Sequence, residues 1–517
     1  MSFCQKQKRW IVATYWFFVL LAIPIWWKTT EIYRAKLPLK LMDKWAKGQM
    51  CNIQFDIPVI IDITHNSNNI KMIEKLKQII STKQEKNIIK LHIKKKHLNI
   101  DKSHYVVKLH EKKNIKSVSM NIYRNRTLFI DYHPHIFPKL PKIISETLLD
   151  IFSLQEKYIN FYLKATESRH KSLELDNNTY TKVVKYSSTF DIVFSLVNGD
   201  EKNVVSFWDI KKAVYLYFRP LLRQLSALSE FNVESQIHFC SELTFNPYKS
   251  KQGNMFQISI DQFPEFVNFA EWNLETTFSS HKIINFLVYV PPRNIQPLFL
   301  KDSHDNLITT NSFLVPQWGS IIIHNQNHTD IDISHLNITQ LQPIFHIFIS
   351  NFLSLLGTPS LPSYISIEPL PVLNAWRLDG LYRQRITENI ISASETLGSL
   401  ARLVQRIHNM VIPDQVQQDV SKTIDYLKKT CQSLNDSKFS NALNYSRIAV
   451  NSAEKAFFDP SMVSMLYFPD EHKYGVYLPL FGPLFFPLVI PLLREFSNFL
   501  KSWKTKRNEK KEPRHTE

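Results

Sequence analysis

The run IINFLVYV at residues 283–290 decides how the chain is read. It is too short for a buried helix and lacks the polar alternation of a strand with one wet face. It fits a central strand covered on both sides, the kind found in α/β sheets. Working outward, β-branched and apolar runs predict further strands at 53–63, 117–131, 190–196, 255–260 and 320–324, with a helix over 70–80. Beyond residue 340 the spacing changes to three and four. A helix is expected over 342–356, stopped by Gly357 and Pro359. From Thr387 the apolar stripe Ile390, Ala393, Leu397, Leu400, Val404, Ile407 and Val411 runs to Pro413, and amphipathic segments follow over 416–434 and 439–457. Short polar joints make these three segments an antiparallel three-helix bundle. The middle of the chain is thus α/β, mixed over about 40–340 and mainly helical over about 341–460.

Two uncharged runs flank this region. Residues 10–27 read WIVATYWFFVLLAIPIWW and residues 476–493 read VYLPLFGPLFFPLVIPLL. Each is long enough, at about 27 Å of helix, for a thin bilayer, and tryptophans mark both ends of the first. Trp26, Trp27 and Lys28 follow the first run where a cleaved leader would show small residues, so it reads as an anchor rather than a signal peptide. Arg494, Lys501, Lys504, Lys506, Arg507, Lys510 and Lys511 follow the second, which places the tail 494–517 in the cytosol and returns residues 1–9 to the same side. Residues 28–475 are then lumenal. The sequons at Asn125, Asn177, Asn327, Asn337, Asn435 and Asn444 all fall between the two runs, in agreement. Pro479, Pro483, Pro487 and Pro491 recur every four residues and share one helix face. Each removes a donor and orphans a carbonyl that lipid cannot satisfy, so helices of other chains are expected against that face. A merely kinked anchor is the plainer reading.

Composition excludes several classes. The chain of 517 residues is 44% hydrophobic, enough for a sizeable core, but has only 9 glycines, which leaves little for phosphate-cradling loops. The formal charge of +17 is concentrated between Asn66 and Lys142, a lysine-rich stretch that reads as a solvated face and not as a nucleic-acid groove. Its densest point, Lys94, Lys95 and Lys96, is the alternative lipid-phosphate contact. Cys4, Cys51, Cys240 and Cys431 show no CxxC pairing, so neither a disulfide framework nor a zinc site is readable.

No serine-hydrolase elbow, HExxH, P-loop or dinucleotide fingerprint occurs. His238 and Cys240 could form a thiol dyad, but nothing orients either group, and a core cysteine is the simpler reading. His133 and His135 could hold a metal but lack a third ligand. Asp330 and Asp332 resemble the cation-binding pair of a lumenal membrane-anchored glycosyltransferase, yet they lie between two sequons, as an exposed loop would. Glu471 and His472 sit against the second apolar run and read as a juxtamembrane interaction surface.

Several long motifs resemble the PIG-S family: IPIWWKTTEIYRAKLP at 23–38, AFFDPSMVSMLYFPDEHKYGVYLPLFGP at 456–483, AEW at 270–272, NFLVYVP at 285–291 and VPQWG at 315–319. Residues from about 64 to about 185 carry none of these motifs and read as surface particular to this lineage. The resemblance implies a non-catalytic subunit of the glycosylphosphatidylinositol (GPI) transamidase in the endoplasmic reticulum membrane. Its implied partners are the other subunits, including a cysteine-protease-like catalytic one, and the membrane. Positioning of GPI lipid or precursor protein is a further role the resemblance leaves open. It implies no cofactor, no metal, no nucleic acid and no catalytic residue on this chain.

Overall fold

The computed structural model describes residues 2–30, 33–63, 69–84, 87–95, 104–167, 183–200, 205–239, 243, 245–250, 255–259, 262–263, 281–326, 334–367, 373–407, 410–463 and 470–509. The chain divides into two compact units. The larger comprises Met42–Thr396 with Lys422–Ser452, and the smaller Met1–Leu41 with Leu397–Ser421 and Ala453–Glu517.

The larger unit holds two principal sheets. In the first, β1 (Phe55–Ile63), β2 (Ile89–Lys95), β3 (Tyr105–Glu111), β4 (Ser119–Ile122) and β5 (Thr127–Tyr132) are joined by a late strand, Ile365–Ile367, in the order late strand, β4, β5, β3, β1, β2. β2 shows how a lysine-rich sequence enters a core. In IKLHIKK, Ile89, Leu91 and Ile93 are buried while His92 and Lys94 between and beyond them are exposed, so the period of two turns these cations to the wet side. The helices α2 (Asn69–Lys83) and α3 (Leu140–Glu167) add Leu76, Ile80, Leu148 and Ile151 to the buried set. The described residues between 69 and 167 are therefore framework, a correction to the expected lineage-specific surface. The expected strand over 117–131 is a hairpin of β4 and β5, broken where Asn125 turns.

The second sheet contains β6 (Thr189–Asn198), β7 (Glu230–His238), β8 (Lys282–Val290), β9 (Ser312–Val315) and β10 (Gly319–Ile323), ordered β9, β10, β8, β6, β7. β8 lies between β6 and β10 and runs parallel to both. One of its faces presents Phe286 to Phe218 and to Phe348 of α4 (Ile338–Leu355), with the Phe286 and Phe348 rings 4.9 Å apart. The other carries Leu287 and Tyr289 into a cluster with Ile258, Leu298, Leu300 and Ile321. Both faces are covered, as the opening run predicts. Removing one such phenylalanine would cost about 3–5 kcal/mol. The VPQWG motif forms the β9–β10 turn, and its Gly319 lies so close to β8 that an added Cβ would stand 1.9 Å from the Asn285 carbonyl oxygen. No other residue fits there.

Three helices follow: α5 (Ala375–Arg406), α6 (Asp414–Asn435) and α7 (Phe439–Phe457). α5 starts at Ala375, ahead of the expected Thr387: its first turns bury Trp376 and Leu381 among charged residues, with no continuous apolar stripe to mark them. Ile390, Ala393, Leu397, Leu400 and Val404 are buried as expected. Within the larger unit, Asn389 of α5 donates to Ser446 of α7 at 3.1 Å, and Cys51 is joined to Cys431 of α6 by a disulfide. That bridge corrects the expectation of no readable disulfide. The partners are 380 residues apart, a separation that spacing rules do not reach.

In the smaller unit, α1 (Ser2–Thr30) and α8 (Asp470–Glu509) touch each other. Among the described residues, no helix is long and apolar enough to cross a membrane. The strand-like segment after α1 bridges at Arg34 to Ile412, Arg34 Nη2 donates to the Val404 carbonyl at 2.8 Å, and Tyr33 Oη donates to Asp414 Oδ1 at 2.6 Å.

Candidate functional site

The first half of α5 carries Asp379, Arg383, Arg385 and Glu388, all at most 8% exposed. Four buried charges on one helix demand partners, because an unpaired buried charge costs several kcal/mol. They find them in two groups. Arg126 grips both oxygens of Asp379, at 2.5 and 2.8 Å, while Tyr105 Oη donates to the same carboxylate at 2.7 Å. Arg383 donates to Gln155 Oε1 at 2.7 Å and to Tyr105 Oη at 3.1 Å. In the second group Arg385 pairs with Glu388 and donates to the Leu356 carbonyl at 2.9 Å, and Tyr158 Oη donates to Glu388 Oε1. Burial pushes the Tyr105 and Tyr158 hydroxyls up, and the bidentate bond to Asp379 raises Arg126. Their chemistry is that of a seat joining α5 to the first sheet, to α3 and to the end of α4.

The Arg126–Asp379 pair forms one wall of a cavity of about 620 Å³ that also takes in Asp56, His92, Lys94 and Lys438. Burial opposes ionisation of Asp56, but hydrogen bonds from His92 at 3.0 Å and Gln54 at 3.1 Å overcome it and hold the carboxyl below its ordinary range. A second groove, of about 760 Å³, lies between β7 and the helical run 210–225.

The residues singled out from sequence fall as follows. Asn125, Asn337, Asn435 and Asn444 are exposed, whereas Asn177 and Asn327 lie outside the described residues. Asn337 caps α4: its Oδ1 accepts from the Gln340 amide at 3.0 Å and the Thr339 hydroxyl at 2.6 Å, so its amide nitrogen is left for a glycan. Pro479, Pro483, Pro487 and Pro491 all lie inside α8, the first three exposed and the last half-buried. The side chains of His133 and His135 stack at 5.1 Å, and among the described residues no cluster of three metal-ligating side chains forms. His238 ends β7, where burial pushes its imidazole down; Cys240, Asp330 and Asp332 lie outside the described residues. Glu471 and His472 belong to α8. Lys94 is exposed on β2, and Lys96 lies outside the described residues. The sequence reading missed the α5 seat, although Asp379 and Arg383 stand four apart and Arg385 and Glu388 three apart, the spacing of same-face helix neighbours.

Two mixed sheets in one compact unit, with a charged helix packed among their elements, define a braced α/β protein. Residues 13–502 match the family model described as phosphatidylinositol-glycan biosynthesis class S protein, and the chain belongs to that PIG-S family. It is 32% identical over 515 residues to the Schizosaccharomyces pombe GPI transamidase component PIG-S homolog, covering 97% of this chain and 86% of that one. It is 29% identical to the Rattus norvegicus GPI-anchor transamidase component PIGS, covering 94% of each. It is 25% identical to the Saccharomyces cerevisiae GPI transamidase component GPI17, covering 92% of this chain and 89% of that one.

Proposed function

We propose that the chain is a non-catalytic subunit of the GPI transamidase, a two-pass protein of the endoplasmic reticulum membrane with both termini cytosolic and residues 28–475 lumenal. One observation carries the anchoring role: apolar side chains stand exposed all along α1 and α8, among them Ile11, Phe17, Phe18 and Leu20 on the first and Phe486, Ile490, Leu493 and Phe496 on the second. None of the described side chains of either helix is fully buried. Surface of this kind is costly in water and natural in lipid or against other helices. The Cys51–Cys431 bridge supports a lumenal larger unit, because disulfides persist in oxidising compartments. The exposed sequons support the same side. The exposed prolines of α8 support partner spans, since each orphans a carbonyl that lipid cannot satisfy.

The family membership and the names of the relatives support the complex. The ionisable groups that α5 brings together are engaged in packing, which suits an assembly role. Nothing favours the glycosyltransferase alternative. Depletion of the chain tests the proposal: GPI-anchor precursors should accumulate with their carboxy-terminal signals uncleaved, and normal anchoring in its absence would refute it. Cross-linkers placed along α8 in native membranes should capture spans of companion subunits; capture of lipid alone would sink the role given to the proline face.

A further inference from the structure

Sheet edges are templates for further strands, and proteins blunt them with lysines, with prolines or by keeping them short. The two principal sheets have four edges. β2 is blunted by Lys90, Lys94 and Lys95; β9 has four residues and the late strand Ile365–Ile367 three. β7 is the exception. It runs for nine residues, EFNVESQIH, with no lysine and no proline, and pairs only with β6 among the described residues. At about 3.3 Å per residue it offers roughly 30 Å of ladder.

The direction of its free groups follows from the pairing. β7 is parallel to β6, and the Glu230 amide donates to the Ser188 carbonyl at 2.9 Å. In a parallel ladder alternate residues direct both backbone groups to one neighbour, so the even-numbered residues face β6. Phe231, Val233, Ser235 and Ile237 turn their amides and carbonyls outward. The groove beside them is lined by Tyr215 and Leu222 and by the cations Lys211, Arg219 and Arg223 of the helical run, with Glu230 and Glu234 on the strand itself. None of these five charges forms an ion pair among the described residues. Phe231 stacks on Phe190 and meets Phe352 of α4, which puts the odd-numbered side chains on the helix-covered face and Glu230 and Glu234 on the other.

We propose that the outer edge of β7 accepts an extended polypeptide strand from another chain, whose side chains alternate between apolar or acidic groups toward 210–225 and basic groups toward Glu230 and Glu234. The outward backbone groups bind its main chain, the tyrosine and leucine take its apolar side chains, and the opposed charges fix its register. This rests on the reading of the protein as a subunit of a complex, and names the surface that holds a companion subunit.

The test uses the full chain in its native membranes with p-benzoylphenylalanine in place of Tyr215. Illumination should yield one cross-linked stretch of a companion subunit, identified by mass spectrometry, with alternating apolar or acidic and basic residues. Val233→Pro removes an outward donor and leaves the β6 ladder its donors, so it should cut the cross-link at least tenfold while the Cys51–Cys431 bridge stays oxidised. Arg219→Glu with Arg223→Glu leaves the backbone untouched and should weaken the cross-link several-fold even if the proline variant does not fold. Cross-links only to this chain or to lipid, or a cross-link indifferent to the charge reversal, would overturn the proposal. Co-purification of companion subunits with the unsubstituted chain reports separately on the subunit reading, so each can fail alone.

Discussion

Replacing Cys51 and Cys431 by alanine should loosen the larger unit. The bridge closes a loop of 380 residues, for which the chain-entropy relation sets a ceiling near ~6 kcal/mol. The ceiling is not reached where the unfolded chain retains structure, and native disulfides typically contribute about 2–4 kcal/mol. At roughly 2 °C per kcal/mol for a unit of this size, the midpoint of thermal unfolding should fall by about 4–8 °C. Intrinsic tryptophan fluorescence of the detergent-solubilised full chain reads it, with Trp45 and Trp376 as buried reporters. Alkylation of protein taken from membranes without reductant should leave both thiols unmodified. An unchanged midpoint, or two freely alkylated thiols in the wild-type chain, would refute both the stabilisation and the lumenal placement that leans on it.

Asp379→Asn keeps the volume of the carboxylate but leaves Arg126 without its counter-charge; because Arg126 is 32% exposed the cost should be near the lower end for a broken buried pair, about 3 kcal/mol, seen as increased protease sensitivity of the larger unit. Asn337→Asp removes a glycan acceptor and keeps the helix cap, so stability should hold while one glycan disappears from gel mobility; Asn337→Ala should lose the same glycan and about 1 kcal/mol besides. Asp56 is held below its usual range in the folded chain, so its stabilising contribution is complete above the unfolded value near 3.8 and is lost as pH falls through the lowered folded value. The gap in melting temperature between wild type and Asp56→Asn should therefore be constant from pH 7 to 5 and close below pH 4; a gap that widens with acid would contradict the hydrogen bonds assigned to His92 and Gln54.

Much of the architecture was legible because it is written in periodicity. The strand at 282–290 is covered on both sides as its unbroken apolar run requires, and α4 stops where Gly357 adopts φ of 70°, a conformation that glycine takes without strain. The amphipathic segment at 439–457 is a helix with the expected ends. What escaped is what periodicity does not encode. β2 and β3 were hidden because lysine and asparagine mask a strand pattern when only alternate residues meet the core. The disulfide and the α5 seat join residues hundreds of positions apart, and the charges in the first turns of α5 interrupt its apolar pattern until Tyr105, Arg126 and Tyr158 are brought against them.

The buried charges of α5 also explain why a scaffold would keep them where apolar packing is commonly as stable. A stripe of leucines would tolerate sliding or rotation of the helix by one turn with modest loss. The bidentate grip of Arg126 on Asp379 and the pairing of Arg385 with Glu388 are satisfied in a single register, which fixes α5 against β3, α3 and the end of α4 at once. The outward edge of β7 belongs to the same body, because Gln224 of the run 210–225 exchanges hydrogen bonds with Leu373, two residues before α5 begins. Replacing Arg126 and Asp379 together by methionine and leucine should accordingly preserve the melting temperature within a few degrees while reducing the Tyr215 cross-link. If stability and cross-link yield instead move together in every variant, the charges act through stability alone and the register argument is wrong.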